Sequence, residues 1–506
     1  MACGIALFAA GCNPDGGVPD FTLDVRIDGA GESNDPDSFG TEMCVTDDGT
    51  VYVIWMDDRD DRENNTRDIW MNRSPDLGDP ESWLPVPVKV NAGDPEVDSN
   101  VWNPDLFCNE LGVFVVWEDD RDGVLQNHQI YFNRSTDQGE TFMPEDIVLE
   151  NDPDGMSMSL EPKITGYGQD LFVTWYDSLN GAYDILLSSS SEAGSQWRAP
   201  ARVDSDDPAG SAYSARPEIA ISENGEDVWI AWEDSRDGAA DIYFARSDNG
   251  GTTFKEDERL DGGATDDNGA HDSFEPVICN DGSEYLYVVW HDSANSDLNR
   301  DIYYNYSSDK GDGWSAAAQR LEVDSPGFGN SLFPQCVADG DTAHIAWYDQ
   351  QVEEAGYDIF YRKLAAGLPS SEPVRLDVGE DSNEPAGYAN STEPVVAMDG
   401  GTVAVAWSDF RGEAQAQEPA GYDDIYYNYS ENGGPFREFE SGDGDLRVDS
   451  WYTGTSFKVE LNFDVLGGTW FAAWTDGREG TSDIYFHSMA VGERAIPPKI
   501  EDIPAE

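Results

Sequence analysis

Arg202-Val203-Asp204, an acidic loop, Pro217-Glu218-Ile219-Ala220-Ile221, Val228 to Trp232 and Asp241-Ile242-Tyr243-Phe244 together make the stretch whose reading decides the fold. Short runs of Val, Ile, Tyr, Phe and Trp between Gly, Asp, Asn and Pro are strands separated by turns. Four such runs make one unit, and the unit recurs. An apolar strand ending in Trp-x-Asp, a polar loop and a strand opening on Asp-Ile-Tyr or a close variant occur eight times. The tryptophans are Trp55, Trp117, Trp175, Trp232, Trp290, Trp347, Trp407 and Trp474, and subtraction gives intervals of 62, 58, 57, 58, 57, 60 and 67. A near-constant period of that size suits one four-stranded blade. The chain therefore reads as an all-β propeller of eight antiparallel blades, with seven as the alternative count.

Proline opens the first strand of six units, at Pro104, Pro162, Pro217, Pro276, Pro334 and Pro394, where a missing N–H need not break a ladder. The second strand, as in Val51-Tyr52-Val53-Ile54-Trp55, is apolar on both faces because blades stack face to face. The eighth unit stops after its third strand, Ile484-Tyr485-Phe486. The chain in turn begins with an orphan Val25-Arg26-Ile27-Asp28 that matches the fourth-strand series Arg202-Val203-Asp204, Arg259-Leu260-Asp261 and Arg447-Val448-Asp449. The expectation is that this N-terminal strand closes the ring and removes the open edges. The division expected is a leader and linker over 1–23, a propeller over 24–489 and a tail over 490–506.

Within 506 residues, 102 Asp+Glu face 29 Lys+Arg, a formal charge of −73. Such a surface repels phosphate backbones and anionic headgroups, which excludes nucleic acid as a partner and leaves membrane contact only through a lipid anchor. Ile5 to Ala10 is a short apolar stretch followed by Gly11-Cys12 and then polar residues. It resembles a bacterial lipoprotein processing site, with Cys12 as the lipidated residue; a plain or mis-started secretory signal is the other reading. Either places the chain outside the cytoplasm, at the cell surface, in the periplasm or secreted. A monomer is expected.

Ser135-Thr136-Asp137-Gln138-Gly139-Glu140-Thr141-Phe142 and Ser307-Ser308-Asp309-Lys310-Gly311-Asp312-Gly313-Trp314 follow third strands, with looser copies at Ser190 to Trp197, Ser247 to Phe254, Ser74 and Ser430. This pattern resembles the Asp-box (BNR repeat) of sialidases and related propellers. In physical terms it is a hairpin: Ser and Asp bond nearby backbone, Gly takes positive φ, and the aromatic packs back on the blade. The resemblance implies a folding device placed away from the functional face. It also implies that a sialidase-type site would need an arginine cluster, a Tyr nucleophile assisted by Glu, and an Asp acid/base.

Tyr243, Tyr303 and Tyr426 belong to the repeated Asp-Ile-Tyr, where an aromatic packing role suffices. Arg59, Arg121, Arg236, Arg411 and Arg478 each follow Trp-x-Asp by two residues. They are the ligand-binding candidates for an anion, or else local partners of the repeat's own aspartates. The five histidines show no metal-ligand spacing, and no phosphate loop or nucleophile elbow appears, so no organic cofactor is expected. Asp57, Asp119, Asp177, Asp234, Asp292, Asp349, Asp409 and Asp476 all end second strands, so a closed ring gathers them on one face. That makes them Ca²⁺ candidates, with mobile counterions as the alternative. Cys44 with Cys108, and Cys279 with Cys336, fall on first strands of adjacent units, either as disulfides or as buried thiols.

Two functions follow from different classes. One is a binding or adhesion module for a glycan, a polymer or an envelope or extracellular protein, which a repeat-symmetric loop set favours. The other is a divergent sialidase-type glycoside hydrolase, for which the longer loop Gly412 to Gly421 is the place to look. No sialidase turnover is expected, because no Arg, Tyr and Glu set stands out from the repeat.

Overall fold

The computed structural model describes residues 24–29, 37–61, 66–92, 100–121, 127–150, 152, 156–262, 271–296, 298–350, 356–378, 390–410, 424–431, 434–436, 445–449, 461–477 and 481–492. These form eight antiparallel sheets and no helix. Blade 4 shows the pattern: inner strand Ser214–Ile221, second strand Val228–Asp234, third strand Asp241–Ser247 and outer strand Glu258–Arg259, hydrogen-bonded in that order. The inner strands of blades 1 to 8 are Ser38–Val45, Val101–Asn109, Ser159–Tyr167, Ser214–Ile221, Ser273–Cys279, Ser331–Asp339, Ser391–Asp399 and Asn462–Leu466. Each touches the next around the ring, and blade 8 touches blade 1. Among the described residues, a fifth strand, Leu368–Pro369, is found in blade 6 alone.

The expected closure is present. Val25–Arg26 is the outer strand of blade 8, pairing Val25 with Phe486 and Arg26 with Tyr485. Ile27 donates its N–H to the Ile484 carbonyl at 2.9 Å, and the buried Asp28 accepts from Ile484 N and Ser38 Oγ. Arg26 adds an ion pair to Asp483 at 2.7 Å.

Second strands are buried on both faces, as in Val228–Asp234 and Leu286–Asp292. The Trp-x-Asp tryptophans are almost wholly enclosed between blades. Burying both faces excludes water from the strand hydrogen bonds while each blade presents an apolar sheet to two neighbours.

The structure changes two details of the sequence reading. First, the repeated proline does not open the inner strand. The strand starts three residues earlier, and the proline follows a bulge whose central residue is left-handed: Asn103, Glu161, Arg216, Glu275, Phe333 and Glu393, with φ between 45° and 54°. In blade 1 the equivalent is Gly40. The extra residue lets the chain enter the crowded axis, and the missing proline N–H falls where the ladder is already broken.

Second, the Ser-x-Asp-x-Gly hairpins fold back on their own third strand through the main chain, but their aromatic side chains do not stay on that blade. Ser135 Oγ accepts from Gly139 N at 2.8 Å and donates to Asp137, whose carboxylate holds Thr141; Ser307, Asp309, Gly311 and Gly313 repeat this. The terminal aromatics then reach the preceding blade, Trp197 against Phe132 at 4.9 Å and Trp314 against Phe244 at 4.7 Å. A Cβ on Gly311 would stand 2.7 Å from Phe244, so this glycine is required by contact as well as by its φ of +78°. Each hairpin is a staple between blades.

Cys44 is joined to Cys108 and Cys279 to Cys336, with Cα separations of 6.0 and 5.7 Å. The bridges link the inner strands of blades 1 and 2, and of blades 5 and 6.

Candidate functional site

Antiparallel blades put the Trp-x-Asp ends of all second strands on one face, together with the loops that enter the inner strands. The hairpin staples lie on the opposite face.

Among the described residues, the predicted arginines do not converge. Arg59, Arg121 and Arg236 each bend back onto the aspartate two residues earlier. Arg121 reaches Asp119 at 2.8 Å and Asp146 at 2.7 Å; Arg236 reaches Asp234 at 2.6 Å and Asp257 at 2.8 Å. Arg59 holds Asp57 and the Asp28 carbonyl, and stacks over Trp70 at 4.3 Å. Each therefore ties its second strand to an outer strand or loop, which is the local-partner reading. Arg411, Arg478, Cys12 and the loop Gly412 to Gly421 lie outside the described residues.

The eight Trp-x-Asp aspartates are all buried. Asp234 accepts from Trp232 Nε1 at 2.9 Å, Ser214 Oγ at 3.1 Å and Arg236 N at 2.8 Å. Asp57, Asp119, Asp292, Asp409 and Asp476 likewise take their own indole N–H, and Asp177 takes Ser159 Oγ and Leu179 N. Asp349 is equally enclosed. These carboxylates are acceptor hubs for the chain's own donors. Among the described residues, the acidic group close enough to share an ion is Asp301, Glu322 and Asp324. Arg320 already bridges all three, at 2.9 Å to Asp301 and to Glu322.

A different set meets at the axial opening of this face. Its members occupy two positions of the repeat: the left-handed residue before the proline, and the middle of Trp-x-Asp. In blades 2 to 5 these are Asn103 and Glu118, Glu161 and Tyr176, Arg216 and Glu233, Glu275 and His291. Blades 3 and 5 share one architecture. Glu118 of blade 2 accepts the Glu161 N–H at 2.7 Å, as Glu233 of blade 4 accepts the Glu275 N–H at 2.8 Å. In both cases the glutamate side chain is then met by its own blade's second strand: Tyr176 donates to Glu161 at 3.3 Å, and His291 Nδ1 faces Glu275 Oε2 at 3.7 Å. Arg216 stands between them on blade 4, paired with Glu233 at 3.0 Å.

Burial raises the Glu161, Glu233 and Glu275 carboxyls above the usual range, against the pull of Arg216. Burial also raises the Tyr176 phenol, and Glu161 adds to it. It drives the His291 ring down to about 3, helped by Arg300 and Arg216. Left-handed backbone at a non-glycine residue costs on the order of 1–3 kcal/mol, and such strain gathers at functional sites. Among the described residues, six of this kind ring the opening.

Aromatic rings continue the surface outward. Tyr176, Tyr183 and Tyr213 form an edge-to-face chain at 5.0 and 5.2 Å. Trp102 stacks on His128 at 4.2 Å, and Phe333 on Tyr348 at 5.6 Å. Tyr213 is 48% exposed and Phe333 43%, and Met156, Leu179, Leu298 and Phe328 are exposed on the same face. All six come from blades 3 to 6.

The sequence carried a signal for this set: inside an otherwise fixed Trp-x-Asp and x-Pro frame, the x residues vary freely in size and charge. A position whose backbone is invariant and whose side chain is not is a place where the fold presents chemistry rather than packing.

No family model matches this chain, and no curated protein matches it in sequence. Solved structures do resemble it in fold. A polysaccharide lyase of family PL25, an ulvan lyase bound to a GlcA–Rha3S saccharide, aligns over 95% of this chain and 98% of its own, at 10% identity and TM-score 0.44. The polysaccharide lyase Uly1 aligns over 76% and 89%, at 10% identity and TM-score 0.46. The α-L-arabinanase of Penicillium chrysogenum, complexed with arabinobiose, aligns over 66% and 94%, at 16% identity and TM-score 0.38.

Proposed function

We propose that this propeller binds a glycan across the axial opening of its Trp-x-Asp face, through blades 2 to 6. One observation carries the reading. The side chains that break the repeat's uniformity, those before the prolines on left-handed backbone, meet there beside exposed aromatic rings. Flat apolar rings with a few fixed polar groups are what saccharide sites are made of. A glycan array probed with the purified protein, its Tyr213→Ala and its Phe333→Ala variants tests the reading. Binding weakened about tenfold by either change supports it. Glycan binding indifferent to both moves the site elsewhere.

A second reading, sialidase-type glycoside hydrolysis, has its own observation in the contact of Tyr176 with Glu161 beside Arg216. Release of free sialic acid from a fluorogenic sialoside, lost in Tyr176→Phe, would establish it; absence of turnover returns the site to binding.

The chain is proposed to act outside the cytoplasm, anchored through Cys12 or secreted. Two disulfides between inner strands support an oxidising compartment. Calcium stabilisation stays a proposal resting on the acidity of this face. Melting at fixed ionic strength decides it: a rise with millimolar Ca²⁺ beyond that with matched NaCl means sites, and equal rises mean screening.

A further inference from the structure

The opening brings together four glutamates, Glu118, Glu161, Glu233 and Glu275, with two guanidiniums that are already engaged. Arg216 donates to both oxygens of Glu233, at 3.0 and 3.3 Å. Arg300 meets His291 Nε2 at 3.1 Å and lies 4.6 Å over the Phe274 ring. Arg67 lies across the ring on blade 1, stacked over Phe39 at 4.3 Å. Lys163, beside Glu161 on blade 3, is matched in turn by Glu218 at 3.7 Å and by Asp105, so a carboxylate or sulfate entering between blades 3 and 5 meets an excess of negative charge, on a chain whose formal charge is −73.

An independent observation concerns what is left unsatisfied. Arginine can only donate, so His291 Nε2 accepts from Arg300 and the ring proton resides on Nδ1. His291 is 1% exposed, and its Nδ1 has no hydrogen-bond partner. The atom it faces, Glu275 Oε2, has none either, and the 3.7 Å between them is beyond hydrogen-bond reach. A buried donor and a buried acceptor side by side, both unmet, are the complement of a hydroxyl group, which gives one hydrogen bond and takes another. The Glu275 side chain is 30% exposed, so the pair lies at the edge of the opening with its glutamate reachable from the mouth. Glu161, held in the same backbone conformation two blades away, offers a second carboxylate acceptor, and Tyr213 and Phe333 offer ring faces for the C–H surface of a sugar.

Resting on the glycan reading, we infer that the ligand of this opening is a neutral, hydroxyl-rich saccharide rather than an anionic one, with Glu275–His291 and Glu161 as its hydroxyl-recognising groups. The test is retardation in native gels cast with one polysaccharide each: the neutral galactomannan, arabinan and laminarin, and the anionic polygalacturonate and alginate. The protein is expected to be slowed by at least one neutral polymer and by neither anionic one. Glu161→Ala and Glu275→Ala are expected to weaken that retardation about tenfold each, the loss of a charge-assisted hydrogen bond. Glu275→Gln, which preserves shape, is expected to weaken it less, and unchanged melting curves show that the variants fold. Retardation by an anionic polymer, abolished in Arg216→Ala, would overturn the inference and leave the opening as the binding site. Retardation by no polymer, or retardation that no substitution at the opening affects, would overturn the underlying reading as well.

Discussion

Arg236 is held between Asp234 and Asp257, with its guanidinium 4.2 Å over Tyr243. Both aspartates are fully enclosed, so removing the cation strands two buried charges. Arg236→Ala is expected to lower the unfolding free energy by about 3–5 kcal/mol, read from urea midpoints, while saccharide binding at the opening is unchanged. Loss of binding at intact stability would instead make Arg236 a ligand residue. Glu150 is the complementary case. Most blades place a fourth-strand arginine between two acids, as Arg202 lies between Asp184 and Asp204, but blade 2 has Val148 and Gln129 at the matching places. Without that cation, burial pushes Glu150 up to about 8, with Asp177 and Asp152 adding to the rise and donors from Ser159 and Ile130 opposing it. The folded state thus holds the proton more tightly than the unfolded chain. The stability this contributes is complete below the unfolded value, near 4.5, and is lost as pH rises through about 8. Glu150→Gln should leave the melting temperature unchanged at pH 4.5 and raise the unfolding free energy at pH 8.5 by up to about 4 kcal/mol. An equal shift at both pH values would assign the effect to packing.

At the scale of elements, the hairpin staple and the bulge were legible to different degrees. The Ser-x-Asp-x-Gly spacing announced a hairpin, because Ser, Asp and Gly act on backbone within the same few residues. It could not announce that the loop's aromatic packs on the preceding blade, since that neighbour is set by how sheets stack. Gly311→Ala tests the staple. A Cβ there meets Phe244 and takes a φ of +78°, so a loss of about 2–4 kcal/mol is expected from left-handed strain and overpacking together. A loss of only about 1 kcal/mol, the low end of the strain alone, would mean that Phe244 gives way freely. The bulge was not legible at all. Proline marks where an N–H is spare, but nothing local says that the residue before it is left-handed. An isolated chain would place Glu161 or Glu275 in extended backbone; the ladder resuming on both sides, with Glu118 and Glu233 clamping the N–H groups, fixes the other conformation.

For the whole molecule, closure is the central quantity. Deleting residues up to Asp28 removes the outer strand of blade 8, the Arg26–Asp483 pair and the Asp28 hub. Several kcal/mol of a total of about 5–15 should be lost, with a lower melting temperature; an unchanged one would mean that blade 8 is stable with a bare edge. Thiol counting on the unfolded, unreduced chain is expected to find Cys44, Cys108, Cys279 and Cys336 unreactive. Reactivity at all four would leave the blade 1–2 and 5–6 contacts to packing alone. By itself the sequence determined the four-stranded repeat, the strand order within a blade and the displaced strand that closes the ring, and it favoured eight blades over seven. Each of these rests on periodicity and hydrogen-bond pairing, which repeat along the chain. Only the tertiary structure decided what the charged residues do. Arg59, Arg121 and Arg236 look alike in sequence to any anion-binding set, and their partners Asp28, Asp146 and Asp257 come from outer strands and loops remote in sequence. Glu161, Arg216, Glu275 and His291 look unrelated in sequence and share one opening, because the ring brings every inner strand to a common axis.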